Sequence, residues 1–219
     1  MSEDPARESW VQRWREHRTG WHRDTTNRHL IEYGPRLFPE SSTILVPLSG
    51  KSVDLVWLEE AGHPVIGLEY AREAVEAFHA ENGRSAEVDG SIYRSGQITT
   101  YVDDVFTAKD PPAQSVDGVY DRAALVAIAP ARREEYAERL TRWLCPGGSI
   151  LLVTVDYPQE ETEGPPFSVP DATVESLFRD GYDITRLEHQ AILEQQPKWQ
   201  ERGVSRLSES VFELKRRDS

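Results

Sequence analysis

Residues 44–52 read ILVPLSGKS, an apolar strand running into a turn that ends Gly50-Lys51-Ser52. A glycine, a lysine and a hydroxyl in that order close a phosphate-cradling loop. Such a loop also needs a first glycine five residues before the second, so that several backbone N–H groups turn inward around one phosphate. Leu45 stands at that position, inside the strand, and Pro47 removes one of the donors the cradle would use. The residues therefore argue against nucleoside triphosphate hydrolysis. Glu69, 19 residues after Gly50, ends the second apolar run, VIGLE. A carboxylate there can accept both hydroxyls of a ribose, as in dinucleotide-binding folds. The G-x-G-x-x-G triplet that lets backbone approach a pyrophosphate is missing, which disfavours an NAD-dependent oxidoreductase. S-adenosylmethionine carries adenine, a ribose diol and an amino-acid tail but no phosphate, and it suits Gly50 and Glu69 better. On residue type alone, a solvated acid at a strand end remains the other reading of Glu69.

Positioning a glycine turn and a carboxylate in this way requires parallel strands joined by helices, and the surrounding pattern supplies them. Apolar runs predict strands at 43–47, 64–68, 99–103, 116–121 and 149–156. Stripes at helical spacing predict helices over 52–61, 72–82 and 132–144, so the centre of the chain reads as βαβ units on a parallel sheet. The polar residues 83–98 predict a loop or short hairpin. Ahead of the sheet, Trp10, Val11 and Trp14 share a helical face in a run from 8 to 22 that Thr19-Gly20 ends. A second short helix over 27–38 is expected to be interrupted at Gly34-Pro35. A proline-rich loop over 157–170 precedes a helix at 171–180 and strands near 183–190 and 208–215. Trp10 reads as core filler. A surface ion pair is one reading of Asp121 with Arg122, but the end of the fourth strand is where open α/β sheets bind ligands, which favours Arg122 in the site. The fold class is α/β, with helices on both faces of the sheet.

At 219 residues the chain has the length of one domain. Its net charge of −13 repels phosphate backbones and anionic lipid heads, which disfavours nucleic acid and membrane surfaces as partners. No apolar run approaches the roughly 20 residues that span a bilayer, and MSEDPARESW lacks an apolar secretion segment, so a cytoplasmic location and a monomer are expected. The one cysteine, Cys145, allows no internal disulfide and reads as a packed thiol rather than a nucleophile. The histidines, at 17, 22, 29, 63, 79 and 189, include no i, i+4 pair, and no metal site is expected.

Four segments in order, WVQRWREHRTGWH, ILVPLSGKSVDLVWLEEAGHPVIGLE, VYDRAALVAIAP and GPPFSVP, spread over residues 10–170, resemble the thiopurine S-methyltransferase family. The C-terminal PKWQERGVSRLSESVFEL is closer to its bacterial members than to the animal enzyme. The resemblance implies a Rossmann-like, seven-stranded methyltransferase sheet, mostly parallel with one reversed strand near the C-terminus. Residues 41–219 would form its core and 1–40 a helical cover, within one domain. It also implies S-adenosylmethionine as cofactor and S-adenosylhomocysteine as product. Leu48 would lie against the cofactor, Gly50 at its amino-acid tail, Glu69 on its ribose, and Asp104 and Val105 beside adenine, with Asp103 the alternative by one residue. Arg122 would face cofactor and acceptor as the catalytic cation, Trp14 would help close the site, and Trp21 would reach the acceptor. Pro165, Pro166 and Phe167 would form an apolar wall of the acceptor pocket. The family usually carries cysteine at Ser49, a nearly isosteric change, and phenylalanine at Trp21, whose larger ring reduces pocket volume.

The activity so implied is in-line methyl transfer to a soft nucleophile, most simply the sulfur of a small aromatic or heterocyclic thiol. Selenium or tellurium compounds or halide are alternative acceptors. A protein that binds S-adenosylmethionine without turnover is the alternative from outside enzymes. The N-terminal cover is expected to order when cofactor binds.

Overall fold

Strands buried on both faces decide the layering. β1 (Ile44–Pro47) is buried throughout, and β2 (Val65–Glu69) is interrupted by one half-buried residue. Helices must therefore cover both sides of the sheet they enter. The computed structural model describes residues 5–16 and 18–218, so His17 lies outside the described residues. The remaining strands are β3 (Glu87–Asp89), β4 (Ile92–Ser95), β5 (Ile98–Val102), β6 (Val116–Arg122), β7 (Leu144–Asp156), β8 (Tyr182–Ala191) and β9 (Ser208–Arg216). The helices are α1 (Pro5–Arg15), α2 (Arg28–Leu37), α3 (Asp54–Glu60), α4 (Arg72–Glu81), α5 (Arg133–Trp143), α6 (Asp171–Phe178) and α7 (Pro197–Glu201).

Among the described residues the strands form one nine-stranded sheet in the order β3-β4-β5-β2-β1-β6-β7-β9-β8. β5, β2, β1, β6 and β7 are mutually parallel, and β9 runs antiparallel between β7 and β8. Those seven are the expected methyltransferase sheet. The other two, β3 and β4, are an antiparallel hairpin laid on the edge of β5. Helices α2, α3 and α4 cover one face, burying Leu30, Leu58 and Phe78 against Val46, Tyr120 and Val153. α5 and α6 cover the other, burying Tyr136, Trp143 and Phe178 against Leu45, Val119 and Ile150. Gly118 in β6 permits the first packing, because a Cβ there would meet the Phe38 ring at 2.6 Å. Among the described residues no helix is long and apolar enough to cross a membrane.

Two helix boundaries differ from expectation. α1 stops at Arg15, where the Arg18 N–H bonds back to the Arg13 carbonyl at 2.9 Å and closes the helix, so Thr19-Gly20 lies beyond it, in a turn closed by the His22 N–H to the Thr19 carbonyl at 2.9 Å. α2 runs through Gly34-Pro35 without interruption. Pro35 forfeits only the bond to the carbonyl of Ile31, and Ile31 is half-exposed, so water replaces the lost donor.

Candidate active site

The turn after β1 is held in an uncommon backbone conformation. Leu48 has φ 48° and Gly50 φ 54°, and a left-handed non-glycine residue costs about 1–2 kcal/mol. Hydrogen bonds outside the turn keep it there. Ser49 N–H donates to the Leu68 carbonyl at 3.2 Å, and Gly50 N–H donates to Glu69 Oε2 at 2.9 Å. The other carboxylate oxygen, Oε1, accepts the Ala71 N–H at 2.7 Å. Glu69 is therefore a buried staple between the ends of β1 and β2. Burial pushes its carboxyl above the ordinary range, while N–H donation from Ala71, Gly50 and Tyr70 pulls the other way.

Beneath the turn, Ser49 Oγ is buried and has no hydrogen-bond partner among the described residues. A thiol in that place would forfeit less, since sulfur is a weak donor and acceptor. The exchange of cysteine for Ser49 is thus isosteric without being equal in polarity.

An aromatic cover lies over the turn. A Cβ on Gly50 would come within 3.0 Å of the Trp14 ring, so glycine is required both by its φ and by the indole above it. Trp14 is buried against Ala71 and Ala74, where α1 lies on α4, and Arg15 pairs with Glu73 of α4 at 2.7 Å. Trp21 meets the edges of Trp14 and Trp10 at centroid distances of 5.7 and 5.1 Å. Trp10 is half-buried and serves this aromatic cluster, not the main core.

At the end of β6 the strand alternation sends neighbours to opposite faces. Arg122 Nη1 donates to the Trp21 carbonyl at 3.2 Å. Asp121 points into the α5 layer, fully buried, and accepts the Tyr136 hydroxyl at 2.6 Å and the Leu125 N–H at 3.0 Å. The alternative reading of Asp121 and Arg122 as a surface ion pair thereby falls away. Tyr120, on the Arg122 side, donates to Asp54 Oδ2 at 3.1 Å, and Asp54 Oδ1 accepts the Asn27 N–H at 2.8 Å. Asn27 in turn caps α2, so these residues tie the N-terminal segment to the turn.

A cavity opens between the turn after β1 and the end of β6. The connections lead from β1 outward to β2 and β5 on one side and to β7 on the other, and open α/β sheets bind ligands at such a switch point. The structure brings Trp14, Trp21, Leu48, Gly50 and Arg122 together around it, with Glu69 joined through the Gly50 N–H. Asp104 and Val105 lie outside its lining, just past β5, whose Val102 is paired with Glu69. Asp104 is buried and accepts the Phe106 N–H at 3.0 Å, whereas Asp103 is exposed. Pro165, Pro166 and Phe167 also lie outside the lining. They are anchored beside it by Phe167 N–H to the Val126 carbonyl at 2.6 Å and by the Tyr157 hydroxyl to the Pro166 carbonyl at 2.7 Å.

Sequence reasoning missed His22, Lys51, Asp54 and Tyr120, all in the cavity wall. His22 adjoins Trp21, and Lys51 follows Gly50, so both had a signal in their neighbours. Asp54 and Tyr120 meet only through the fold. Burial, with the Lys51 charge second, holds the His22 imidazole below its ordinary range. Burial likewise pushes the Cys145 thiol up, away from thiolate chemistry.

The residues fit an adenosyl ligand. One glycine-lined approach, a buried carboxylate with acceptor capacity beyond its three N–H partners and a tryptophan face suit an amino-acid tail, a ribose diol and a sulfonium, and the turn lacks the glycines of a phosphate nest. Comparison with known proteins agrees. The profile of the family described as thiopurine S-methyltransferase matches residues 5–217. A thiopurine S-methyltransferase of Vibrio campbellii is 43% identical over 211 residues, covering 94% of this chain and 96% of its own. Another, of Bordetella parapertussis, is 41% identical over 212 residues, covering 94% and 97%. In fold, the chain is similar to the 1,6-didemethyltoxoflavin-N1-methyltransferase of Burkholderia thailandensis, solved with S-adenosylhomocysteine, at a TM-score of 0.65 and 16% identity over 97% of this chain and 87% of that one.

Proposed function

The chain belongs to the thiopurine S-methyltransferase family and is an S-adenosylmethionine-dependent methyltransferase, and from that premise we propose that it methylates the sulfur of a small aromatic or heterocyclic thiol. The observation that carries the reading is the cavity at the switch point between β1 and β6, where Gly50, Arg122 and two tryptophans converge and Glu69 holds Gly50 from outside the lining.

When bound, S-adenosylmethionine supplies a methyl carbon already activated by its sulfonium. The protein's own task is then alignment and exclusion of water. In the proposed roles Glu69 holds the ribose hydroxyls, Gly50 admits the amino-acid tail, Leu48 lies along the ligand, and Asp104 and Val105 flank adenine. Trp14 seals the turn from above, as part of a cover formed by residues 1–40 over a core of residues 41–219 in one domain. On the acceptor side, Arg122 favours the thiolate by its positive charge, Trp21 offers an aromatic face, and Pro165, Pro166 and Phe167 form an apolar wall. No strong base is needed, because aromatic thiols are largely ionised near neutral pH.

Titration with S-adenosylhomocysteine and an acceptor screen test the reading together. Glu69→Ala should weaken S-adenosylhomocysteine by about 10- to 100-fold, the loss expected for charge-assisted hydrogen bonds of about 1.5–3 kcal/mol. Arg122→Ala should raise the KM or lower the kcat for thiophenol roughly tenfold, with a smaller change in cofactor affinity. Binding without turnover of any thiol would reject the thiol acceptor and pass the role to selenium or tellurium compounds or halide.

A further inference from the structure

Asp121 is a buried titratable group that the proposed chemistry does not use. It lies at the end of β6 with no solvent exposure, and it forms no ion pair among the described residues. Taking a carboxylate out of water without a cation is costly, and a neutral side chain could close a turn more cheaply. The contacts of Asp121 indicate what the charge does. Oδ2 accepts the Tyr136 hydroxyl at 2.6 Å, Oδ1 accepts the Leu125 N–H at 3.0 Å, and the Ala124 N–H also donates to the carboxylate. Bonds to an ionised acceptor are shorter and roughly twice as strong as neutral ones.

Between Asp121 and those two N–H groups lie Arg122 and Ala123. Ala123 has φ 64°, a left-handed conformation that a non-glycine residue keeps only when its surroundings over-determine it. The turn continues into the 3-10 segment Leu125–Ala127. The Val126 carbonyl of that segment receives the Phe167 N–H at 2.6 Å. Both acceptor-side parts thus meet at one turn, which carries Arg122 directly and holds the wall at Phe167, while the Tyr157 hydroxyl holds the wall at Pro166. The carboxylate that fastens it lies on the α5 side of the sheet, opposite to Arg122.

We propose that Asp121, braced by Tyr136, is a positioning residue for the acceptor half of the site, setting Arg122 and the 165–167 wall in register through the Ala123 turn. The inference rests on the reading of Arg122 and the wall as acceptor-side parts. It requires the cofactor half to be independent, and the geometry agrees. The turn after β1 is fastened instead by Glu69 and by the Ser49 bond to Leu68.

The test uses the full chain with Tyr136→Phe and Asp121→Asn. Tyr136→Phe keeps the ring volume and removes one hydroxyl, so it remains informative if Asp121→Asn does not fold. Amide hydrogen exchange should accelerate tenfold or more at residues 124–127 and at Phe167, and stay unchanged at 49–52 and 69–71. The Kd for S-adenosylhomocysteine should stay within twofold of the wild type, while the KM for thiophenol rises fivefold or more. Unchanged exchange at Phe167, or equal fractional losses in cofactor affinity and thiophenol turnover, would overturn the proposal. If the wild type methylates no thiol, the acceptor reading falls, and the exchange pattern still judges the clamp.

Discussion

A carboxylate that accepts a backbone N–H at each oxygen, as Glu69 does, fastens the protein and still presents lone pairs to a sugar. Asp121 carries a different energetic signature. Burial raises its carboxyl from 3.8 to about 6, against donation from Tyr136, Leu125 and Ala124. The folded chain then keeps a proton that the unfolded chain has lost. This group's favourable contribution is complete below about pH 4 and vanishes as pH rises through about 6. A difference of about 2 pH units, at about 1.4 kcal/mol each, bounds the effect near 3 kcal/mol. Asp121→Asn should remove that slope from the stability of the wild type, measured as urea midpoints between pH 4 and 7. Parallel curves for the two proteins would refute the assignment. At this scale Gly50 and Glu69 were legible because their roles follow from backbone geometry at a strand end. Asp121 and Asp54 were not, since the sequence shows a charge without its buried partners: Asp121 beside Arg122 reads as an ion pair until strand alternation separates them.

At the scale of elements, the aromatic cover is the part with least support of its own. Trp14 touches Trp21 and the turn, and among the described residues α1 is tied down by the small Ala71 and Ala74 surface and by the Arg15–Glu73 pair. Exposed pairs contribute at most about 1 kcal/mol. Cofactor contact should therefore stabilise α1 more than the strands. Hydrogen exchange of the amides at 10–15 and 21–22 is expected to slow at least tenfold with S-adenosylhomocysteine, and equal exchange in both states would reject a closing cover. The strand–helix alternation was readable because both periodicities are strong in the core. The end of α1 was not, because the Trp10, Val11 and Trp14 stripe shows where a helix packs and not where the Arg18 N–H turns back. For residues 83–98 a loop or short hairpin was as far as the sequence went, since an edge pair with few buried residues has no apolar run to decide between them; the hairpin β3–β4 is what forms there.

For the whole molecule, a net charge of −13 is a repulsive term spread over the surface. Raising salt from 0.1 to 1 M shortens the screening length from about 10 to about 3 Å. The Tm in sodium chloride should rise by a few degrees over that range, read by scanning calorimetry. A fall would mean that screened ion pairs such as Lys51–Glu81 outweigh the net repulsion. One end of the sheet puts the same acidity to local use. The outermost strand, β3, is Glu87-Val88-Asp89, exposed along its length with unpaired backbone on its free side. A second molecule adding there antiparallel, with Val88 opposite Val88, would set Glu87 of each copy against Asp89 of the other. Like charges directly opposed disfavour such pairing, so this border resists templating fibrils or stacked filaments even in concentrated solution.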